Sequence, residues 1–164
     1  MQILMTVSLD SEGCMGDSKR EICGEHPGEK AWFRNWLEGH LKRGASVILG
    51  GRTLTAMDAY GRRLQNDFPQ SPWFVISRKG PSLEQSLEAV QCSQKDTPVL
   101  LLGGKGIFEE ALQNNLVDRA WVTRIPQPRI GDLLLPTQVW LGYKLKESFP
   151  HDGFTLEVWE RKVS

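Results

Sequence analysis

Residues that bind metals or cross-link chains are scarce in this sequence. Among 164 residues there are three cysteines and three histidines. Cys14, Cys23 and Cys92 lie far apart without metal-ligand spacing. Their odd number fits free thiols in a reducing compartment rather than a disulfide framework. His26, His40 and His151 are equally scattered, so neither a zinc site nor a Ser-His-Asp triad assembles from the sequence, and no metal is expected. A charge excess is also missing: Lys plus Arg is 20 and Asp plus Glu is 20. Binding nucleic acid through its phosphates needs surplus positive charge on one face, so no nucleic-acid partner is expected. A small basic pocket for one phosphorylated ligand remains compatible with zero net charge. No apolar run approaches the ~18–20 residues of a membrane span, and no membrane partner is expected. The opening MQILMTVSLDSEG has no basic start, long apolar segment or small-residue cleavage pattern. It does not read as a signal peptide, and the expected location is the cytoplasm.

What the chain does have is an ordinary globular composition, 40% hydrophobic and 24% charged, which excludes disorder as its main state. Its length suits one domain over residues 1–164. No repeat, low-complexity tract or linker divides it.

Short apolar runs alternate with helical spacing. Ile3-Leu4-Met5-Thr6-Val7 is too short for a helix and is bounded by Ser8, Asp10 and Gly13, which predicts a buried strand over 3–7. Ala31, Trp32, Phe33, Trp36, Leu37, His40 and Leu41 recur at three- and four-residue spacing between Pro27 and Gly44, predicting an amphipathic helix over 28–41. Further strands are expected at 46–49, 73–77, 99–102 and 120–125. Ser82 and Gln85 have capping-box spacing and open a short helix through Leu87 and Ala89. Helical spacing returns over 107–116. Segments 140–149 and 154–162, joined at His151-Asp152-Gly153, form a terminal antiparallel hairpin. The expected class is therefore α/β, three layers α/β/α, with a mostly parallel central sheet and an antiparallel C-terminal hairpin. Six tryptophans are present. Core packing is the expected use of Trp36, Trp140 and Trp159, and a homodimer anchored on some of them is the alternative.

Ligands of such sheets bind at the carboxyl ends of the strands. Two strands end there in double glycine leading into a helix, at Leu49-Gly50-Gly51-Arg52-Thr53 and Leu102-Gly103-Gly104-Lys105-Gly106. Glycine lets the backbone approach an anion, and a helix N-terminus presents unpaired N–H groups with a favourable dipole. Arg52 adds a guanidinium that can fork onto a phosphate, and Thr53 a hydroxyl. Neither the P-loop spacing nor G-x-G-x-x-G is present. Two such turns in one domain favour a dinucleotide or phosphorylated ligand, although each alone is equally a tight strand-to-helix turn. Glu29 lies in the first turn of the helix after Pro27, where the dipole alone favours a carboxylate. The apolar Ala31-Trp32-Phe33 beside it suggests instead the rim of an apolar cleft, where an acid can hold or relay a proton.

These residues carry a resemblance. The chain resembles the dihydrofolate reductase superfamily, both dihydrofolate reductase itself and the pyrimidine reductase domain of riboflavin biosynthesis. The likeness runs nearly end to end, through Val7-Ser8-Leu9-Asp10 with Met15-Gly16, Pro27-Gly28-Glu29-Lys30-Ala31-Trp32-Phe33, and Ser46-Val47-Ile48-Leu49-Gly50-Gly51-Arg52-Thr53. It continues through Gly61-Arg62-Arg63-Leu64, Phe74-Val75-Ile76-Ser77-Arg78, Leu102-Gly103-Gly104-Lys105-Gly106-Ile107-Phe108, Val122-Thr123-Arg124-Ile125 and Gly131-Asp132 with Pro136.

The resemblance implies NADPH across the two Gly-Gly turns. Arg52, Thr53, Ser77 and Arg78 would lie near its adenosine end and phosphates, with Leu102, Gly103, Gly104, Lys105, Gly106 and Ile107 along the pyrophosphate and nicotinamide ribose. Thr6, Met15 and Gly16 would lie near the nicotinamide. It places Glu29 as the substrate-binding acid, Thr123 as its supporting threonine, and Phe33 and Met57 along the substrate slot. The chain lacks the tryptophan that dihydrofolate reductases usually carry ahead of the acid, and Leu54 follows Thr53 where they have another tryptophan. Asp17-Ser18-Lys19-Arg20 looks more like the pyrimidine reductases, whose loop contacts a phosphorylated ribose, and would make Lys19 and Arg20 substrate-binding. Three functions are therefore expected, in order. The first is NADPH-dependent reduction of the phosphoribosylated aminouracil of riboflavin synthesis, and the second is reduction of dihydrofolate. The third is nucleotide binding without turnover on this scaffold.

Overall fold

The computed structural model describes residues 1–16, 26–93 and 96–163. In chain order the elements are β1 (Ile3–Asp10), β2 (Cys14–Gly16), α1 (Pro27–Lys42), β3 (Ser46–Gly50), α2 (Gly51–Asp67), β4 (Trp73–Ile76), α3 (Leu83–Ser93) and β5 (Val99–Leu101). There follow α4 (Lys105–Gln113), β6 (Arg119–Ile125), β7 (Leu133–Leu134), a 3-10 turn (Thr137–Trp140), β8 (Tyr143–His151) and β9 (Phe154–Arg161). Seven strands form one sheet in the order β4-β3-β5-β1-β6-β9-β8. The pairs from β4 to β6 are parallel, and β6–β9 and β9–β8 are antiparallel. This is the expected α/β architecture with its C-terminal hairpin, and it is compatible with a dihydrofolate reductase-like fold.

The strand period of two divides the core. On β1, Ile3, Met5, Val7 and Leu9 join a cluster with Leu83 and Val90 of α3 and Ile107, Phe108 and Leu112 of α4. Leu4 faces the other way, into a cluster with Leu37 and Leu41 of α1, Leu64 of α2, and Val47, Leu49, Leu100 and Leu102. Trp36 packs against this second cluster, and Trp140 and Trp159 against the first. The strand does not stop at Val7 but continues buried to Asp10. Its extra residues keep the alternation, so Thr6, Ser8 and Asp10 continue the α1-facing row begun by Leu4. That row changes from apolar to polar as it nears the carboxyl end of the sheet.

Local signals in the sequence appear as bonds. Ser82 N–H donates to Gln85 Oε1 at 2.9 Å and Gln85 N–H to Ser82 Oγ at 3.1 Å, the reciprocal pair of a capping box. Pro27 occupies the first turn of α1, and the His26 side chain accepts from Gly28 N–H at 3.2 Å. α4 starts directly after Gly104 and ends at Gln113, short of the expected Leu116. Asn115 has φ 53° and turns the chain, and Leu116 packs back on the core from beyond the helix. The two-stranded ribbon of β2 and β7 is too short to show as a period. Among the described residues, no helix is long and apolar enough to cross a membrane, and no group of three or more His, Cys, Asp or Glu could hold a metal.

His40 near the end of α1 lies against the rings of Trp36 and Trp121, and its buried Nδ1 has no hydrogen-bond partner. Burial pushes this imidazole below its ordinary value of 6.5, and the nearby Arg43 charge acts in the same direction. The unfolded chain therefore binds the proton more readily. This contribution to stability is present above about pH 6.5 and is lost as pH falls through the lowered folded value. Thermal unfolding from pH 7.5 to 5.5 should show a fall in Tm that is shallower in His40→Phe. Equal slopes in the two proteins would refute this role for His40.

Candidate active site

At the carboxyl ends of the parallel strands, the two Gly-Gly turns meet. β3 and β5 are neighbours, so their exits are adjacent, and Gly50 N–H donates to the Gly103 carbonyl at 2.7 Å. A Cβ on Gly50 would sit 3.6 Å from Gly104 N, an ordinary contact, so the close passage of the two backbones would tolerate a side chain at that position. Gly103 has φ 112°, and a Cβ there would meet the Phe108 ring at 3.0 Å, which leaves no other residue comfortable. α2 and α4 begin at this junction with no side-chain cap and no acidic residue in their first turns. Their N-terminal ends instead carry Arg52 and Lys105. α1, by contrast, has Glu29 in its first turn and α3 has Glu84. Two uncapped helix starts flanked by cations fit an anionic, phosphate-bearing group.

Beside the junction lies a cleft of ≈ 240 Å³. Thr53, Leu102 and Gly104 line it from the glycine turns, Thr6 and Ser8 from β1, Thr123 from β6, and Met15 from β2. Glu29, Lys30, Trp32, Phe33 and Arg34 of α1 and Met57 and Tyr60 of α2 form further parts of its walls. Ser8 and Thr123 are cross-strand partners in the β1–β6 register, so the polar row of β1 and that of β6 open into the same space.

Glu29 is 1% exposed. Its Oε2 accepts the Ser8 hydroxyl at 2.6 Å, while its buried Oε1 has no hydrogen-bond partner. Arg129 stands behind this pair. Its Nη2 donates to Ser8 Oγ at 2.7 Å and lies 3.7 Å from Glu29 Oε1. Its Nη1 donates to the Ser8 carbonyl at 3.0 Å, and its main-chain N–H to Asp10 Oδ2 at 2.7 Å. Asp10 Oδ1 accepts the N–H groups of Glu12 at 2.9 Å and Cys14 at 2.8 Å. Burial alone would raise the Asp10 carboxyl, but these three N–H bonds and the Arg129 guanidinium outweigh it and hold the group below the usual carboxylate range.

No protein-family model and no curated protein matches the chain.

Of the residues singled out in the sequence, Thr6, Met15, Glu29, Phe33, Thr53, Met57, Leu102, Gly104 and Thr123 come together around the cleft. Gly50, Gly51, Arg52, Gly103, Lys105 and Gly106 form the adjoining junction. Ser77 and Arg78 are exposed and follow directly after β4, whose last residue, Ile76, is paired with Gly50. Gly16 lies in β2. Ile107 is buried in the core against the junction, with Cδ1 3.8 Å from a Cβ built on Gly50. Lys19 and Arg20 lie outside the described residues, as does Cys23. Thr123 lines the cleft along with Glu29, and the hydroxyl bonded to Glu29 is that of Ser8.

Ser8, Trp32, Arg34, Tyr60 and Arg129 were not singled out as site residues. The alternate polar residues Thr6, Ser8 and Asp10 are a signal for the first of these, because they mark a strand face turning from core to cleft. Arg129 has no such signal. It belongs to an irregular segment between β6 and β7 and reaches Ser8 across 121 positions of sequence.

Proposed function

We propose that the protein is an NADPH-dependent reductase of a small nitrogen heterocycle, with dihydrofolate as the favoured substrate. One observation supports this above others: Glu29, a buried acid with one carboxyl oxygen that makes no hydrogen bond, lines the same cleft that the Gly-Gly junction borders. A dinucleotide at the junction and a ring bound to Glu29 would then be neighbours.

The junction fits the cofactor. Arg52 and Lys105, with the N–H groups opening α2 and α4, would hold its phosphates, and Leu102, Gly104, Thr6 and Met15 would border the nicotinamide side. NADPH supplies a hydride when bound. The chain's residues do the remaining work. Glu29 Oε1 accepts N–H donors from the edge of the substrate ring, and Ser8 fixes the rotamer by donating to Oε2. Phe33, Met57 and Trp32 supply apolar walls that exclude water from the reacting ring. Glu29 is the only carboxyl group among the described lining residues, so it is the group through which proton exchange with the ring passes.

An amino-oxo ring such as a pterin offers two adjacent N–H donors to a carboxylate, a bidentate match. The aminouracil's ring N–H and ribosylamino N–H form a similar pair, so dihydrofolate is favoured instead by the apolar walls of Trp32, Phe33 and Met57, which suit its larger bicyclic ring. The aminouracil keeps a place as second reading because Lys30 and Arg34 line the cleft. Two cations there suit an anionic tail, and a ribose phosphate serves as well as the carboxylates of a glutamate.

Purified protein should bind NADPH and oxidise it when dihydrofolate is added. Oxidation with the aminouracil alone would move the proposal to the second substrate. Binding without oxidation on either would support a nucleotide-binding role. Arg52→Ala should weaken NADPH binding about tenfold or more, the worth of one charge-assisted phosphate contact. Unchanged affinity in a fluorescence titration would remove Arg52 from the phosphate site.

A further inference from the structure

Arg129 is not part of the cleft wall, yet its position bears on what the cleft accepts. Its side chain is 7% exposed and sits 3.7 Å from Glu29 Oε1. Bonds to the Ser8 carbonyl, the Ser8 hydroxyl and the Met15 carbonyl hold the guanidinium in place. An arginine stays charged at any working pH, so Glu29 has a counter-charge before any ligand arrives. The other charged side chains among the described lining residues are Lys30 and Arg34, also cations, and Tyr60 faces the cleft from α2. Asp10 lies on the far side of Arg129, its carboxylate bound to three main-chain N–H groups.

We propose that Arg129 is a specificity-determining residue, whose pairing with Glu29 makes the cleft select a neutral N–H edge over a cationic amidinium of the same shape. Both kinds of ring offer two N–H donors to a carboxyl group. At a lone buried carboxylate the amidinium wins, because charge attraction adds to its hydrogen bonds. Here a cation in contact with Glu29 also stands within a few ångströms of the fixed guanidinium, with Lys30 and Arg34 on the same wall. Like-charge repulsion in a desolvated site offsets that attraction. A neutral edge keeps its hydrogen bonds to the Glu29 carboxyl and meets no repulsion. Arg129 acts this way only if a heterocycle occupies the cleft, so its role rests on the function proposed above.

The test compares two bicyclic probes of one shape, a diaminoquinazoline that is protonated to an amidinium near neutral pH and the matching neutral amino-oxoquinazoline. Binding is measured by calorimetry or by tryptophan fluorescence on the wild type, Arg129→Gln, Arg129→Lys and Ser8→Ala. The wild type should prefer the neutral ring by about tenfold or more, and its affinity for the diamino ring should fall as pH is lowered. Arg129→Gln keeps amide donors but loses the charge, and should reverse the preference. Arg129→Lys and Ser8→Ala keep a cation behind Glu29 and should retain the wild-type order. If Arg129→Gln does not fold, the wild-type preference and its pH trend decide the matter alone. A wild type that prefers the diamino ring, or the same ratio in Arg129→Gln and Arg129→Lys, overturns the role of Arg129 and leaves the heterocycle site standing. Binding of neither ring overturns both.

Discussion

Glu29→Gln is expected to lower kcat/KM for dihydrofolate by about a hundred- to ten-thousand-fold, the usual range for a lost acid–base group, with NADPH affinity nearly unchanged. The substitution preserves shape. It replaces one carboxyl oxygen with an NH2 group, so a donor faces the donors of the ring, and it removes the only carboxyl group among the described residues lining the cleft. The Gly50–Gly103 junction does not involve Glu29, so cofactor binding and turnover should separate. Steady-state rates with a parallel NADPH titration check this, alongside thermal unfolding to confirm the fold. Full turnover of dihydrofolate by the variant would sink the proposed role. Turnover of the aminouracil by the same variant, with dihydrofolate reduction gone, would mark Glu29 as a pterin-binding acid only.

Asp10→Ala should be strongly destabilising. Its carboxylate accepts the N–H groups of Glu12, Cys14 and Arg129 at 2.7–2.9 Å. Alanine leaves all three without that acceptor in a site where Asp10 is 1% exposed. Each orphaned donor costs about 1–3 kcal/mol. With some rescue by water, a loss of about 3–5 kcal/mol is expected, or a Tm drop of about 10 °C for a chain of this size. Because the folded carboxyl is held below its unfolded value of 3.8, its contribution is present above that pH and disappears as pH falls through the lowered folded value. The wild type should therefore lose more stability than the variant on acidification below about pH 4. A Tm within a degree or so of the wild type would show that the three N–H groups find other acceptors. Activity should fall too, since Asp10 positions the segment that carries Arg129 behind Ser8 and Glu29.

Much of the fold is visible in short stretches of sequence. The Ser82–Gln85 capping box, the Pro27 start of α1, the apolar strands and the Gly-Gly exits from β3 and into α4 all depend on neighbours within a few residues. The end of β1 was harder, because Ser8 and Asp10 look like the polar boundary of a strand. In the structure they are its continuation, polar because that face leaves the core and enters a cleft. The same ambiguity hid the end of α4, where Leu116 keeps the apolar spacing after the backbone has turned at Asn115. The ribbon of β2 and β7 is too brief for any period to reveal.

The α/β class and the order of the main strands and helices were determined by the sequence alone, because helix and strand periods, caps and glycine turns are properties of adjacent residues, and the same local reading singles out Glu29 as a candidate acid. The meeting of Gly50 with Gly103 and the pairing of Arg129 with Ser8 and Glu29 were decided only by tertiary structure. Those contacts depend on which strands lie side by side in the sheet. Strand order is set by how two opposite apolar faces are buried at once, a condition on the whole chain that no local window contains.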